Sequence, residues 1–329
     1  MITPSFWHKK ESLLSKSLVP ISQIWKICAY LKNKSSNTTT MQIPVIKVGN
    51  VVAGGAGKTP TAISIAKRLI NLKMNVHLIS KGYKGSIRIT TKVDNLLHKF
   101  NDVGDEALLL SKTAPTWIGK DRISSIKAAQ NEGAEIVILD DGLQDYSIKG
   151  DLNILVFNGS QGIGNGHIMP AGPLREPLSW ALKNTHLAII VEKDKKGIKE
   201  ILPSSLPILE AKILIDSSVQ KKLHNKSVLA FCGIGYPQKF YDFLKQMGCH
   251  ISSWKPFPDH YIYSEKNIEN LINESINLNS LLVTTQKDYI KIAKKYQNKI
   301  FSFPIDMKFS DYATLDSMLY SIINVKSKK

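Results

Sequence analysis

Short apolar runs recur along the chain, each closed by a polar or glycine-rich break and followed by a stretch of helical periodicity. IPVIKVGN from Ile43, NVHLIS from Asn75, TWIG from Thr116, EIVILDD from Glu135, LNILVF from Leu152 and LAIIVE from Leu187 read as buried strands. Between them, 60–71, the GDEALLLSK stretch from Gly104, and 122–131 read as helices, and the polar stretch 82–101 as a loop or short hairpin. Strands alternating with helices predict an α/β fold: a mostly parallel sheet covered on both faces.

After about residue 216 the pattern restarts. KSVLAFCGIG from Lys226 and SLLVTTQKD from Ser280 read as strands, with a helix over 237–247 between them. IFSFPIDMKF from Ile300 reads as one strand leading back, before a last helix over 312–325. The expected division is a main domain over 41–216, a smaller α/β domain over 217–305, and a C-terminal segment over 306–329 that returns to the first domain.

At the N-terminus, 5–32 reads as helix with a break. Leu14, Leu18, Ile21, Trp25 and Cys28 are spaced by fours and threes, so they share one face. Pro20 suits the first turn of a second helix better than the middle of one. Lys9, Lys10, Lys16, Lys26, Lys32 and Lys34 fall on the other faces, and 35–40 is a polar connector. Phe6, Trp7, Leu14, Leu18, Ile21 and Trp25 form an apolar stripe suited either to the headgroup boundary of a membrane or to packing on the domain core.

Charge narrows the partners. Lys and Arg number 44 against 27 Asp and Glu, a net +17, which favours anionic partners: nucleic acid, a phosphorylated substrate or an anionic membrane surface. Cys28, Cys232 and Cys249 form no C-x-x-C pair, so a reducing setting without a zinc site or disulfide framework is expected. No apolar run is long enough to span a bilayer, and the N-terminal stretch lacks a signal-peptide cleavage pattern.

The clearest chemistry lies in VGNVVAGGAGKTPT, 48–61. It departs from the phosphate-loop pattern G-x-x-x-x-G-K-[ST] at one position, Val52, where the pattern has its first glycine. The strand–turn–helix context is nevertheless right. Main-chain N–H groups and a helix start converge on one point, and Gly54, Gly55 and Gly57 permit close approach to phosphate. Val52, Ala53, Gly54, Gly55, Ala56, Gly57, Lys58 and Thr59 are thus the candidate nucleotide loop, with Lys58 for the terminal phosphates and Thr59 for Mg²⁺. EIVILDD supplies its acidic counterpart, an apolar strand ending in Asp140 and Asp141. Three further clusters stand out. Asp105 and Glu106 open a helix, where a carboxylate also serves as a cap. GNGHIMPAGPLREP is an uncharged Gly/Pro-rich loop ending in Arg175 and Glu176, and Asp259 precedes His260 in FPDHYIYS.

In order and over nearly the whole chain, these blocks resemble the tetraacyldisaccharide 4′-kinases of lipid A biosynthesis. The resemblance is carried by Trp7, Leu18 and Pro20, VGNVVAGGAGKTP, KGYKG (81–85), GDE (104–106), LDDGLQ (139–144), GNGHIMPAGPLREP (164–177), PDH (258–260) and TTQKD (284–288). That family's loop also lacks the first glycine. The resemblance implies a P-loop fold with a second α/β domain, and ATP- and Mg²⁺-dependent phosphorylation of the 4′-hydroxyl of a tetraacylated disaccharide 1-phosphate. It implies a peripheral enzyme on the cytoplasmic face of a Gram-negative inner membrane, with neither nucleic acid nor an obligate protein partner. Carried over by residue, Asp105 is the base or orients the hydroxyl, with His260 as its dyad partner, and Lys58 stabilises the β- and γ-phosphates. Thr59, Asp140, Asp141 and Glu176 are expected around the metal, and Glu106, Gln144, Asn165 and Arg175 around the substrate headgroup. Lys81 replaces the family's Arg, Asp145 its His and Gln286 its Glu, while Lys287 and Asp288 receive no role.

Three other classes compete. A membrane-surface binding module using the N-terminal helix alone is opposed by the nucleotide loop and its acidic partner. A P-loop GTPase would need N-K-x-D, which TTQKD does not spell. A nucleic-acid-dependent ATPase would need a binding module or an aromatic–basic stripe, and none is recognisable.

Overall fold

The computed structural model describes residues 4–9, 12–34 and 37–326. Lys10 and positions 35 and 36 of the expected connector lie outside the described residues, as do the side chains of Lys32 and Lys34. A 3₁₀ turn (Ser5–His8) and the long helix α1 (Leu13–Lys34) come first. Then follow β1 (Val45–Gly49), α2 (Lys58–Asn71), β2 (Val76–Ser80), β3 (Thr91–Lys92), α3 (Phe100–Val103), α4 (Asp105–Ser111), β4 (Thr116–Ile118), α5 (Arg122–Asn131) and β5 (Ile136–Asp140). The chain continues through β6 (Leu152–Asn158), α6 (Leu178–Lys183), β7 (Leu187–Val191), α7 (Ile198–Ile201), β8 (Ile208–Leu214), α8 (Ser217–Leu223), β9 (Ser227–Cys232) and α9 (Pro237–Gln246). It ends with β10 (His250–Pro256), α10 (Glu265–Asn277), β11 (Leu281–Thr285), α11 (Gln286–Tyr289), α12 (Lys294–Gln297), β12 (Phe301–Phe303), β13 (Asp306–Phe309) and α13 (Tyr312–Lys326).

Among the described residues these strands form two sheets. The larger has nine strands in the order β13-β8-β7-β6-β1-β5-β2-β4-β3, and the smaller has four, β10-β9-β11-β12. In the large sheet only the edge strands β13 and β3 run antiparallel to their neighbours, and the small sheet is parallel throughout. β1, β2, β5, β6 and β7 are buried along their whole length, as strands covered on both faces must be. One face packs Ile46, Val48, Leu78, Ile138 and Ile154 against Ile65 and Leu69 of α2 and Leu315 and Leu319 of α13. The other face holds Val45, Val137 and Leu139 with Ile126 of α5, and Leu155, Phe157 and Ile190 with Leu174. The small sheet is likewise covered on two sides, by α8 and α9 and by α10 and α12.

β1 sits between β5 and β6, where the chain's winding reverses, so its C-terminal end opens onto a crevice. The glycine loop starts there.

Several expectations change. IFSFPIDMKF is two strands, not one. Pro304 has no N–H for a ladder, so β12 ends before it in the small sheet, and β13 pairs with β8 in the large one. β8 and β10 were not expected. Pro20 lies inside a continuous α1 rather than opening a second helix. The lost main-chain bond falls at an exposed position, and α1 is anchored on both sides of it. Ser15 Oγ donates to Ala171 O (2.8 Å), Ser22 Oγ to Ile168 O (2.8 Å) and Trp25 Nε1 to Arg175 O (3.0 Å).

These anchors decide what α1 does with its apolar residues. The helix docks by two hydroxyls and the Trp25 indole N–H on carbonyls of the 163–175 loop, and its large apolar side chains stay largely exposed. Leu13, Leu14, Ile21, Ile24, Trp25, Ile27, Tyr30 and Leu31 are all exposed, from 47% at Trp25 to 87% at Leu13. Trp7 differs from the stripe it was expected to join. It is buried, with Nε1 donating to Pro170 O at 2.9 Å.

Candidate active site

Position 52 tolerates valine because its surroundings are extended and apolar. Val52 forms an antiparallel bridge with Leu174 and packs with Val51, Leu155, Phe157 and Leu174. The left-handed backbone comes later, at Gly54 (φ 121°) and Gly57 (φ 96°), where a side chain would be strained. Ala53 N donates to Pro173 O (2.8 Å), so the Gly/Pro-rich loop braces the nucleotide loop. Lys58 and Thr59 open α2 and are aimed by partners. Lys58 Nζ donates to Asn50 Oδ1 (2.9 Å) and lies 3.4 Å from Asp141 Oδ1; Thr59 Oγ1 donates to Asp140 Oδ2 (2.8 Å).

Asp140 and Asp141 part company at the end of β5. Asp141 takes a left-handed turn, φ 52°, which sends its carboxylate to a different neighbourhood. Asp140 is buried, and its Oδ1 has no partner. Burial, then the nearby charge of Glu106, push its carboxyl up to about 7, against the Thr59 hydrogen bond. Asp141 goes the other way. Burial alone would raise it, but Lys58 and Arg175 hold it down at about 2, with Arg175 Nη1 3.0 Å from both carboxylate oxygens. Arg122 supports both. Its buried guanidinium donates to Asp140 O (2.8 Å) and Asp141 O (3.1 Å).

The second cluster crosses between the sheets. Asp105, the first residue of α4, is buried, and its Oδ2 lies 2.8 Å from His260 Nδ1. Burial would raise the Asp105 carboxyl, but the His260 bond and the charge of Lys287 keep it below its ordinary value. Lys287 Nζ lies 3.2 Å from His260 Nε2, 3.2 Å from Glu106 Oε1 and 3.9 Å from Asp259 Oδ1. His260 has φ 57°, a conformation that His adopts more readily than most residues. Gly235 joins this cluster to the nucleotide loop: a Cβ there would stand 3.2 Å from Gly55 N and 3.3 Å from Asp259 Oδ2.

Other expected members are occupied elsewhere. Both Glu176 oxygens are engaged, by Gln144 Nε2 (2.9 Å) and the Tyr146 hydroxyl, and among the described residues no three acidic, His or Cys side chains gather to hold a metal. Of the four residues expected around the metal, Thr59 and Asp140 are bonded to each other, while Asp141 is paired with Lys58 and Arg175. Gln144 also donates to Asn50 O (2.9 Å), bracing the start of the nucleotide loop. Asn165 spends its amide on Ser15 Oγ and Ala171 O (both 3.0 Å), so it anchors α1. Asp145, where a His was expected, is structural: it accepts from Ser147 and faces Arg122 at 3.5 Å. Asp288 is structural too. Wholly buried, it accepts from Gly233 N, the Tyr263 hydroxyl and Thr285 Oγ1, and pairs with Lys291. Sequence reading missed Asn50, Arg122 and Tyr146. A polar residue closing an apolar strand was the one signal available, at Asn50.

A lysine and a hydroxyl opening a helix behind a glycine loop, faced by a buried strand-end carboxylate, define the class: a P-loop phosphoryl-transfer protein. The family model described as tetraacyldisaccharide-1-P 4′-kinase matches residues 14–324, and the chain belongs to that family. It is 34% identical to the tetraacyldisaccharide 4′-kinase of Rhodospirillum centenum, covering 99% of this chain and 98% of that one. It is 37% identical to the one from Paramagnetospirillum magneticum, covering 99% and 100%. Its fold is similar to the crystal structure of an "apo" form LpxK from Aquifex aeolicus in complex with ATP, with TM-score 0.78, 26% identity and coverage of 94% and 100%.

Proposed function

We infer that the chain is a kinase of lipid A precursor synthesis. It transfers the γ-phosphoryl group of ATP to the 4′-hydroxyl of a tetraacylated glucosamine disaccharide 1-phosphate. The observation that carries this reading is the meeting of a nucleotide loop with a carboxylate–imidazole pair whose buried carboxylate opens α4 beside the large sheet and whose imidazole follows β10 of the small one.

A sugar hydroxyl is a weak nucleophile, so positioning and charge neutralisation supply most of the rate. The loop amides around Gly54–Gly57 receive phosphate oxygens, and Lys58 balances charge on the β- and γ-phosphates. The hydroxyl oxygen forms the new bond to Pγ, the bond from Pγ to the β-phosphate oxygen breaks, and the hydroxyl proton passes to Asp105. ADP leaves with the bond's electron pair. The unpartnered buried Oδ1 of Asp140 and the Thr59 hydroxyl beside it fit Mg²⁺, which prefers oxygen ligands and shares its shell with phosphates. Bound there, Mg²⁺ would supply neutralisation of phosphate charge. Arg175 and Glu106, with Gln144 and Asn165, are the candidates for the acceptor headgroup. We take the parts to be the N-terminal helix (1–40), the kinase domain (41–216), the smaller domain (217–305) and the returning C-terminal segment (306–329).

Mass spectrometry of the disaccharide 1-phosphate incubated with enzyme and Mg-ATP tests the reading. The expected product gains one phosphate, at the 4′ position. ATP or GTP hydrolysis stimulated by DNA or RNA, with no phosphate gained by the lipid, would replace it by the other P-loop readings.

We also propose that α1 rests on the cytoplasmic face of the inner membrane, where an acylated substrate and soluble ATP can meet. Among the described residues no helix is long and apolar enough to cross a membrane. The exposed apolar residues of α1 instead suit the headgroup boundary, and Lys16 and Lys26 suit anionic lipid at about 1 kcal/mol each. Because Trp7 is core, the variant to test is Ile21→Gln/Ile24→Gln/Ile27→Gln, which keeps helix propensity. It should leave anionic vesicles and raise the apparent KM for lipid, with the melting temperature and KM for ATP nearly unchanged. Unchanged sedimentation with vesicles would place the membrane contact elsewhere. The scheme needs no protein partner and no nucleic acid.

A further inference from the structure

The turn that separates Asp140 from Asp141 does not hold itself. Asp141 stands at φ 52°, a backbone conformation that a residue with a side chain keeps only where its neighbours fix it. Arg122 is the neighbour that does so. Its guanidinium enters from the first residue of α5, is buried, and forks onto both carbonyls, Nη2 to Asp140 O at 2.8 Å and Nη1 to Asp141 O at 3.1 Å. Neither carboxylate of the pair touches it in return: Asp140 bonds Thr59, and Asp141 lies with Lys58 and Arg175.

A buried cation needs a counter-ion within reach. The carboxylate that faces Arg122 is Asp145, with Oδ2 3.5 Å from Nη1. Among the described residues Arg122 Nε has no partner, which leaves the fork to the two carbonyls and that carboxylate. Asp145 is itself seated. Its Oδ1 accepts from Ser147 Oγ (2.5 Å) and N (3.3 Å), and its carbonyl accepts from Lys47 Nζ at 2.7 Å. Lys47 rises from the middle of β1 and is as buried as Arg122. Burial lowers its ammonium to about 8, with the charge of Asp145 raising it and that of Arg122 lowering it further. Burial would raise the Asp145 carboxyl, but the Ser147 hydrogen bond and the charge of Arg122 keep it below its ordinary value. Two buried cations thus lean on one carboxylate.

We propose that Asp145 is a positioning residue: as the shared counter-ion of Arg122 and Lys47, it keeps the guanidinium forked on the Asp140 and Asp141 carbonyls and so keeps the two carboxylates apart. It acts through Arg122 and takes no part in the step itself. A histidine there, as in the family, could not balance two cations. The effect on transfer rests on the kinase reading; the lock on Arg122 does not.

Guanidinium ¹⁵N NMR of the full chain reads the lock without substrate, the Arg122 signals being assigned by their loss in Arg122→Lys. A forked guanidinium shows two distinct Nη nitrogens, and one that turns about its Nε–Cζ bond shows their average. The wild type should show two. Asp145→Asn keeps the side chain's shape and an acceptor for Ser147 but removes the charge, and should show the average. Asp145→Glu keeps the charge and should restore two. In kinetics, Asp145→Asn should lower kcat about tenfold or more through the misplaced turn, the KM for ATP staying within about twofold. Asp145→Asn/Arg122→Lys should be no slower than Arg122→Lys alone, because both changes fail at one fork. Two buried cations without a carboxylate also cost stability, so Lys47→Met is added to Asp145→Asn. That double variant should regain the lost melting temperature while its kcat stays low. Averaged Nη signals in the wild type overturn the proposal, as does an Asp145→Asn protein that keeps two. So does an Asp145→Asn/Lys47→Met protein that recovers both melting temperature and kcat, since Asp145 would then serve the fold only. A lock present in the wild type and lost in Asp145→Asn, with no transfer to the disaccharide by the wild type, would sink the kinase reading and leave the lock standing.

Discussion

Lys58→Ala is expected to lower phosphoryl transfer by about 10³-fold, the scale seen when one donor to a developing negative charge is removed. The charge concerned lies on the terminal phosphates. The fold should survive at a modest cost. Asp141 keeps Arg175, 3.0 Å from both its oxygens, so no carboxylate is left unpaired. Asn50 Oδ1, wholly buried, loses its donor, which costs about 1–3 kcal/mol. Lys58→Arg should recover little, because a planar guanidinium does not replace a compact ammonium in a loop built around one. Steady-state turnover with Mg-ATP and lipid, alongside a melting curve, gives the answer. Near-normal turnover by a folded Lys58→Ala protein would remove the nucleotide assignment.

The large sheet was legible because its central strands are buried on both faces and so read as unbroken apolar runs, such as IVILD and LAIIV. β8 and β10 were not. Their side chains are half in and half out, and their pattern resembles that of an ordinary loop. The nucleotide loop could be found because one local turn brings its members together at fixed spacing. Arg122 and Tyr146 could not, since each acts on residues supplied by another part of the chain, and Asn50 left only the faint signal of a polar residue closing an apolar strand. The spacing on α1 picked out the right apolar residues but not what they face. Hydropathy scores the stripe and ignores Ser15 and Ser22, whose hydroxyls hold the helix to the domain and leave the stripe outside.

Asp105 and His260 should behave as one device. Asp105→Asn keeps the side chain's shape at the start of α4 but removes the proton acceptor, and His260→Ala removes the group that aims it; each should cost about 10²-fold or more in kcat. The double variant should be little slower than the slower single, because an unaimed carboxylate and an absent one fail at the same step. His260 sits at φ 57°, which alanine adopts poorly, so part of the alanine effect could come from the backbone. His260→Asn separates the two. Asparagine tolerates that conformation and its amide can still donate to Asp105 Oδ2, as Nδ1–H does now at 2.8 Å. If the imidazole works by orienting Asp105, His260→Asn should be about tenfold faster than His260→Ala. If the imidazole were itself the base, the amide could not take its place and the two variants would be equally slow. Losses from Asp105→Asn and His260→Ala that multiply in the double variant would mean that the two residues serve separate steps.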